Sequence, residues 1–106
     1  MRLPHSDPVI STLTREVKHR IGTHLRGLWL FGSRARGDAR ETSDYDVLVL
    51  VDLKTPEIRT QLLDIETEIL DRYEALVACL LRSEDEWRRS RGYPLAKNIE
   101  RERVRL

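Results

Sequence analysis

Apolar residues recur at helical spacing in two stretches of the chain, and each stretch follows a residue that can cap a helix. Asp7 precedes the first stretch, with Pro8 at the first helical position, where a missing N–H costs nothing. Thr55 and Pro56 precede the second stretch in the same way. The two apolar stripes consist of Ile10, Leu13, Val17 and Ile21, and of Ile58, Leu62, Ile65 and Ile69. This pattern predicts two amphipathic helices, each with one buried face.

Three runs are apolar at nearly every position and predict buried strands. They are residues 28–31, residues 44–51 and residues 75–81. Gly27 ends the region before the first of these strands, and Asp44 opens the second. Because the second run is apolar on both faces, it is typical of the middle of a covered sheet.

The last quarter of the chain carries helix signals and a short apolar end. Ser83 and Glu86 form an S-x-x-E capping box that begins a polar helix carrying Trp87. Gly92 and Pro94 break that helix. A short segment over residues 95–101 then leads into residues 104–106, which predict a terminal edge strand.

The order of these elements predicts the fold class. Helices alternate with strands along 106 residues, a length that suits one domain over residues 1–106. We therefore expect an α/β (α+β) fold, with a small mixed sheet of three to four strands backed by helices.

Composition excludes several classes of protein. The net charge is only +1, so we expect no strong direct binding of nucleic acid. No apolar run approaches the roughly 20 residues that a membrane helix needs. Residues 1–8 lack the apolar core of a signal peptide, and the single cysteine, Cys79, cannot form an internal disulfide. We expect a cytoplasmic protein without a membrane partner.

Two aspartates at the start of the second strand are candidate metal ligands. Asp44 and Asp46 stand two positions apart, so in a strand they point to one face while Tyr45 points to the other. Two carboxylates this close are unfavourable unless a cation lies between them. Hard carboxylate oxygens select magnesium or manganese, which completes its coordination with water and substrate phosphates.

A glycine–serine pair directly after the first strand is a candidate phosphate site. Gly32 lets a phosphate approach the main chain without a Cβ in the way, and Ser33 adds a hydroxyl donor. Free N–H groups where a strand turns into a helix bind anions. Arg34 and Arg36 add positive charge within reach.

Each of these features alone has a simpler explanation. A D-x-D sequence is common on protein surfaces, and a glycine after a strand is what many turns require. The two features together, joined by a polar loop between two apolar strands, indicate a site for a nucleoside triphosphate and its metal.

The run from Gly32 to Asp46 resembles a known family signature. G-S-R-A-R-G-D, with S-D-Y-D beginning eleven residues after Gly32, is similar to the signature of the polymerase-beta-like nucleotidyltransferase superfamily. The short, simple chain is most similar to its minimal nucleotidyltransferase (MNT) group. The resemblance implies the polymerase-beta-like nucleotidyltransferase fold. It also implies one or two Mg²⁺ ions and ATP or another nucleoside triphosphate as substrate. Catalytic and metal-binding carboxylates would be Asp44 and Asp46, and nucleotide-binding residues Gly32, Ser33 and Arg36.

The resemblance also implies a partner. Members of this group act as antitoxins beside an HEPN-domain ribonuclease toxin, and transfer AMP from ATP to a tyrosine of that toxin. A homo-oligomer or a hetero-oligomer with the toxin is the assembly to expect. Because nothing after Leu81 is long enough to form a lid domain, a second chain is the simplest way to close the site.

One departure from the family pattern leaves two functions open. The superfamily usually presents a third carboxylate from a later strand, but residues 75–81 contain no acid, and Glu74 and Glu84 are the nearest candidates. The first function is that of a protein adenylyltransferase. The second is that of a catalytically weak or inactive antitoxin that neutralises its HEPN partner by direct binding. Transfer to a small molecule is a third reading, which the absence of a substrate domain disfavours.

Overall fold

Five helices and four strands make up residues 6–106, the part of the chain that the computed structural model describes, and only the last two helices follow each other without a strand between them. The helices are α1 (Pro8–Ile21), α2 (Ser33–Arg36), α3 (Pro56–Tyr73), α4 (Glu84–Ser90) and α5 (Pro94–Glu102). The strands are β1 (Leu25–Phe31), β2 (Tyr45–Val51), β3 (Val77–Ser83) and β4 (Val104–Arg105). The predicted α/β fold is confirmed.

The strands form one mixed sheet in the order β3-β2-β1-β4. β1 pairs antiparallel with both β2 and β4, whereas β2 and β3 run parallel. The parallel pair is joined by α3, because parallel neighbours need a crossover connection of about a dozen residues or more. β2 lies inside the sheet, and this position explains why its sequence is apolar at consecutive positions.

Helices cover both faces of the sheet and divide the core into two clusters. On one face α1 and α3 pack against β-strand residues that include Val47, Val49 and Val51. On the other face Trp87, Ala96 and Ile99 of α4 and α5 pack against Leu48 and Leu50. Asp46 is even-numbered like Leu48, so the alternation of β2 directs its side chain to the face that α4 and α5 cover.

The helix caps expected from the sequence are present. The Asp7 carboxylate accepts a hydrogen bond from the Val9 amide at 2.8 Å, and the Thr55 hydroxyl accepts one from Ile58 at 3.2 Å. Ser83 and Glu86 satisfy each other's amides as a capping box. None of the helices within residues 6–106 is long and apolar enough to cross a lipid bilayer.

Two strands begin at least two residues away from the expected position. β1 begins at Leu25 and includes Gly27, which is buried because the Trp29 ring covers its Cα and would overlap an added Cβ. β3 begins at Val77, two residues later than expected. The delay follows from Glu74, which ends α3 in the left-handed conformation with a φ of 54° and donates its amide to the Leu70 carbonyl.

Candidate nucleotide and metal site

The Gly32 backbone lies directly beside Asp46 at one end of the sheet. Phe31, the last residue of β1, is the pairing partner of Asp46 in β2, so the residue after Phe31 turns away above that aspartate. Gly32 has a φ of 75° and a ψ of −159°, a conformation open essentially only to glycine. A Cβ at this position would overlap the Asp46 Oδ2 atom. The sequence predicted that a phosphate could approach the main chain at Gly32. In the structure, the Asp46 carboxylate lies against this face of the glycine.

Asp44 and Asp46 bring two negative charges to this end of the sheet. Asp44 is exposed and immediately precedes β2, whereas Asp46 is partly buried within it. Between them Tyr45 points into the opposite core, where its hydroxyl donates to Asp7 Oδ2 at 2.7 Å. Burial raises the pKa of Asp46, and the Asp44 charge raises it further. The fold thus holds the two carboxylates close enough for the Asp44 charge to act on Asp46.

This donor set fits one hard divalent cation with an incomplete protein shell. The neighbouring Asp44 carboxylate contributes to the raised pKa of Asp46. A cation bound between the two carboxylates would remove this repulsion. Within residues 6–106 no group of three His, Cys, Asp or Glu side chains is arranged to share an ion. Coordination positions would therefore remain for water and for phosphate oxygens, as magnesium usually requires.

The serine and the two arginines of the motif lie on a single helical turn. The Gly32 carbonyl accepts the amides of Ala35 and Arg36, each at 3.1 Å, which closes α2 directly after the glycine. Gly37 ends this turn in the left-handed conformation with a φ of 85°. Ser33 is therefore the first residue of α2, next to the same backbone that approaches Asp46.

The two arginines have different surroundings. Arg34 donates to the carbonyls of Ser43 and Glu41 at 2.9 and 3.0 Å, and its guanidinium lies 4.1 Å from the centroid of the Tyr45 ring. Through these contacts Arg34 holds the polar loop between α2 and β2 against the start of β2, so its guanidinium stabilises the loop. Arg36 instead acts on the carboxylate site, because its charge lowers the pKa of Asp46 against the effect of burial.

Glu102, a residue that the sequence did not indicate, reaches the site from the end of α5. Its Oε1 atom accepts a hydrogen bond from the Gly32 amide at 3.0 Å, across a separation of 70 residues. Its Oε2 atom accepts one from Arg36 Nη1 at 3.1 Å. The pairing of Val104 with Leu30 explains this placement, because the residues that precede Val104 then run beside those that follow Leu30. The sequence predicted a terminal strand, but it did not show that this strand pairs with β1 and so brings Glu102 to the site.

The residue beside Asp46 on β3 is Ala78 and not a carboxylate. In the parallel pairing of β2 and β3, Ala78 is the partner of Asp46, and its side chain is exposed. Glu74 lies before β3 at the end of α3. Glu84 lies beyond the other end of β3, where it forms an ion pair with Arg26 at 3.3 Å. Neither glutamate stands beside Asp46, so β3 adds no carboxylate to the pair.

Comparison with known proteins places this geometry in context. The family model for the nucleotidyltransferase domain matches residues 10–106. A curated protein of Methanocaldococcus jannaschii, named "Putative protein adenylyltransferase MJ0604", is 24% identical over 95 residues, which cover 90% of this chain and 91% of that protein.

Solved structures share the fold at low identity. A crystal structure of a toxin–antitoxin with AMP-PNP superposes with a TM-score of 0.64 at 19% identity, over 90% of this chain and 69% of that one. A nucleotidyltransferase structure from Sulfolobus solfataricus, described as putative, is 22% identical over 93% of this chain and 86% of that one, with a TM-score of 0.45. The first of these likenesses supports the fold observed here.

Proposed function

Because the chain belongs to the nucleotidyltransferase domain family, whose model spans residues 10–106, we propose that it is an antitoxin that transfers AMP from ATP to a partner toxin. The observation that carries this proposal is the contact between the Gly32 backbone and the Asp46 carboxylate beside Asp44. A main-chain anion site suits the phosphates of a metal-bound triphosphate, and the adjacent pair of carboxylates suits its metal ion.

The motif residues would hold the nucleotide through its outer phosphates. The amides of Gly32 and Ser33 and the Ser33 hydroxyl are donors at the start of α2, and the Arg36 guanidinium supplies positive charge. Gripping the outer phosphates positions pyrophosphate as the leaving group. Asp44 and Asp46 would hold one or two Mg²⁺ ions, which neutralise charge on the triphosphate.

The proposed reaction forms one bond and breaks another at the α-phosphorus. The oxygen of an acceptor hydroxyl bonds to that phosphorus, and the bond to the bridging oxygen of pyrophosphate breaks. The hydroxyl proton passes to a base. Since Ala78 stands where a third carboxylate would lie, that base would be water or a group of the partner protein.

A tyrosine of an HEPN-domain ribonuclease is the acceptor that the family resemblance implies. The relative from Methanocaldococcus jannaschii is named for protein adenylyltransfer, and a structural neighbour is a toxin–antitoxin crystallised with AMP-PNP. Both support a protein acceptor over a small molecule. The exposed Asp44 also supports a second chain, because an open site needs a cover that excludes water. The setting proposed is a hetero-oligomer in the cytoplasm.

Ala78 favours a second candidate function. Loss of a base costs on the order of 10² to 10⁴ in rate, so a chain without the third carboxylate could neutralise its toxin by contact alone. In that case nucleotide binding would contribute little to neutralisation.

Transfer of label separates the two functions. The chain and its co-purifying partner are mixed with Mg²⁺ and ATP labelled at the α-phosphate. The enzyme predicts label on the partner, lost in Asp44→Ala and Asp46→Ala. Tight binding without label, unchanged by either substitution, would establish the contact antitoxin instead. Glu100→Gln, which alters an ion pair with Arg91 away from the motif, is the matched control.

A further inference from the structure

The Glu102 carboxylate occupies the donors that a phosphate would use. One of its oxygens accepts from the Gly32 amide at 3.0 Å and the other from Arg36 Nη1 at 3.1 Å. A main-chain N–H and a guanidinium gathered on the two oxygens of one anion form the kind of arrangement that also recognises a phosphate. Gly32 and Arg36 are two of the three nucleotide-binding residues expected from the motif, so Glu102 and a nucleotide would use these two groups in common.

The position of Glu102 does not suit a metal ligand. Within the described residues 6–106, no three acidic, histidine or cysteine side chains are arranged so that they could hold one metal ion. The two carboxylate oxygens of Glu102 already point at hydrogen-bond donors.

Hydrogen bonds and a ring contact hold the residues that follow Glu102, so displacement of its carboxylate needs movement of the side chain only. The Arg103 amide donates to the Ile99 carbonyl at 2.8 Å, and its guanidinium lies 4.4 Å from the Trp29 ring centroid. The Leu106 amide donates to the Leu28 carbonyl at 3.0 Å. The Glu102 side chain is 19% exposed and has free rotation about several bonds, which gives it a path into solvent.

We propose that Glu102 is an internal occupant of the anion site, and that the phosphate of an incoming nucleotide binds by displacing its carboxylate. This inference deepens the proposed function, on which it rests for the identity of the ligand. The free chain then holds its own site closed, and nucleotide affinity is lower than Gly32, Ser33 and Arg36 could give alone. A partner or nucleotide that draws Glu102 away would open the site.

Two substitutions separate occupation of the site from simple repulsion by charge. Glu102→Gln keeps the length of the side chain but removes its charge. Glu102→Asp keeps the charge but is one methylene shorter, so its carboxylate loses reach to the Gly32 amide. Displacement predicts that both variants bind anions more tightly, by about three- to tenfold in Kd, since each weakens a charge-assisted contact. If Glu102 acted only by repelling the incoming anion, Glu102→Gln would bind anions more tightly and Glu102→Asp would bind them like the parent chain.

Calorimetric titration with inorganic tripolyphosphate, and separately with Mg²⁺ and ATP, provides the test. Glu100→Gln, on the same helix and paired with Arg91 at 2.9 Å, is the control and should bind like the parent chain. Equal or weaker binding by both Glu102 variants would overturn the inference, and so would an effect of Glu102→Gln alone. Failure of all variants to bind either anion would overturn it as well. Tighter tripolyphosphate binding without any AMP transfer would sustain the inference and count against the proposed reaction.

The Gly32 amide gives a readout that does not depend on activity. In the ¹⁵N–¹H correlation spectrum, its proton should shift on Glu102→Gln and Glu102→Asp, because the hydrogen bond to the carboxylate is altered. Glu100→Gln should leave it in place. Tripolyphosphate should move the same resonance in the parent chain. A Gly32 resonance insensitive to both Glu102 substitutions would show that the contact is absent in solution and would refute the proposal.

Discussion

Ala78 lies directly beside Asp46 in the parallel pairing of β2 and β3, with its side chain exposed. The family resemblance led us to expect a third carboxylate on this strand, and the register shows which residue stands at the position beside the pair. An exposed alanine there neither supports the core nor blocks access to the carboxylates. If Asp44 and Asp46 bind metal as proposed, position 78 is where a third carboxylate would join them.

Replacing Ala78 with aspartate should strengthen metal-dependent catalysis. The new carboxylate would share a face with Asp46 and could accept the proton of the acceptor hydroxyl. We expect the rate of AMP transfer to the partner to rise by about tenfold or more, since a positioned base contributes on the order of 10² to 10⁴. Transfer of α-labelled phosphate measures the change.

Ala78→Asn is the control, because it has the same shape without the negative charge. Without metal, Ala78→Asp should lower the melting temperature through repulsion by Asp46, and Mg²⁺ should restore it. An aspartate variant that transfers no faster than the asparagine variant, and whose melting ignores Mg²⁺, would contradict the assignment of this position.

Gly32→Ala should damage both the fold and the site. The backbone conformation of Gly32 is nearly closed to other residues, and an added Cβ would overlap the Asp46 carboxylate. We expect the free energy of unfolding to fall by about 1–3 kcal/mol, with loss of nucleotide binding. Denaturant unfolding and calorimetry measure the two effects. Gly92→Ala is the matched control, since nothing lies within 4 Å of a Cβ built there, and it should change neither. Equal behaviour of the two variants would be inconsistent with this geometry.

The raised pKa of Asp46 predicts how stability depends on pH. Burial is its main cause, with the Asp44 charge next. Between the ordinary aspartate value and the raised one, the folded chain keeps a proton that the unfolded chain releases. The free energy of unfolding contributed by this group therefore falls as pH rises through that window, and stays low above it.

Asp46→Asn should remove this pH dependence. At neutral pH the variant should be more stable than the parent chain without metal, and the difference should narrow as pH falls from the raised pKa of Asp46 towards the ordinary aspartate value. Added Mg²⁺ should stabilise the parent and leave the variant unchanged. Urea denaturation across pH 4–7 measures these effects. A variant that is less stable at every pH would mean that Asp46 supports the fold and does not serve a cation.

Tyr45→Phe should lower the stability of the fold and leave ligand binding unchanged. The Tyr45 hydroxyl donates to Asp7 Oδ2 at 2.7 Å in the core, on the face away from the two aspartates. Without that donor a buried carboxylate oxygen loses a partner, so the free energy of unfolding should fall by about 1–3 kcal/mol. Calorimetry should find unchanged binding of Mg²⁺ and ATP. Lost binding in a folded Tyr45→Phe chain would disprove this separation of faces.

The sequence predicted most of the elements because their signals are local. Asp7, Thr55 and the Ser83–Glu86 box begin their helices where expected, since each cap acts on amides within three residues. β2 was recognisable because a central strand is apolar on both faces. The boundary at Gly27 was wrong, because the ring of Trp29 and not the turn propensity of glycine decides its conformation.

The relations between distant segments could not be predicted in the same way. The contact of Glu102 with Gly32 depends on β4 pairing with β1, and strand order is a property of the whole sheet. Ala78 could not be matched to Asp46 until the register of β2 and β3 was known. The motif did not show where the side chains of Arg34 and Arg36 point, and their positions on one helical turn give them different neighbours. The assignment of the site residues themselves stays a prediction.

A crystal structure of the chain with Mg²⁺ and a non-hydrolysable ATP analogue would show whether nucleotide and metal bind where β1 and β2 meet α2. We expect outer phosphates within hydrogen-bond distance of the Gly32 and Ser33 amides, and a metal ion between Asp44 and Asp46. A nucleotide bound elsewhere on the chain, or the two carboxylates turned away from the ion, would contradict this expectation.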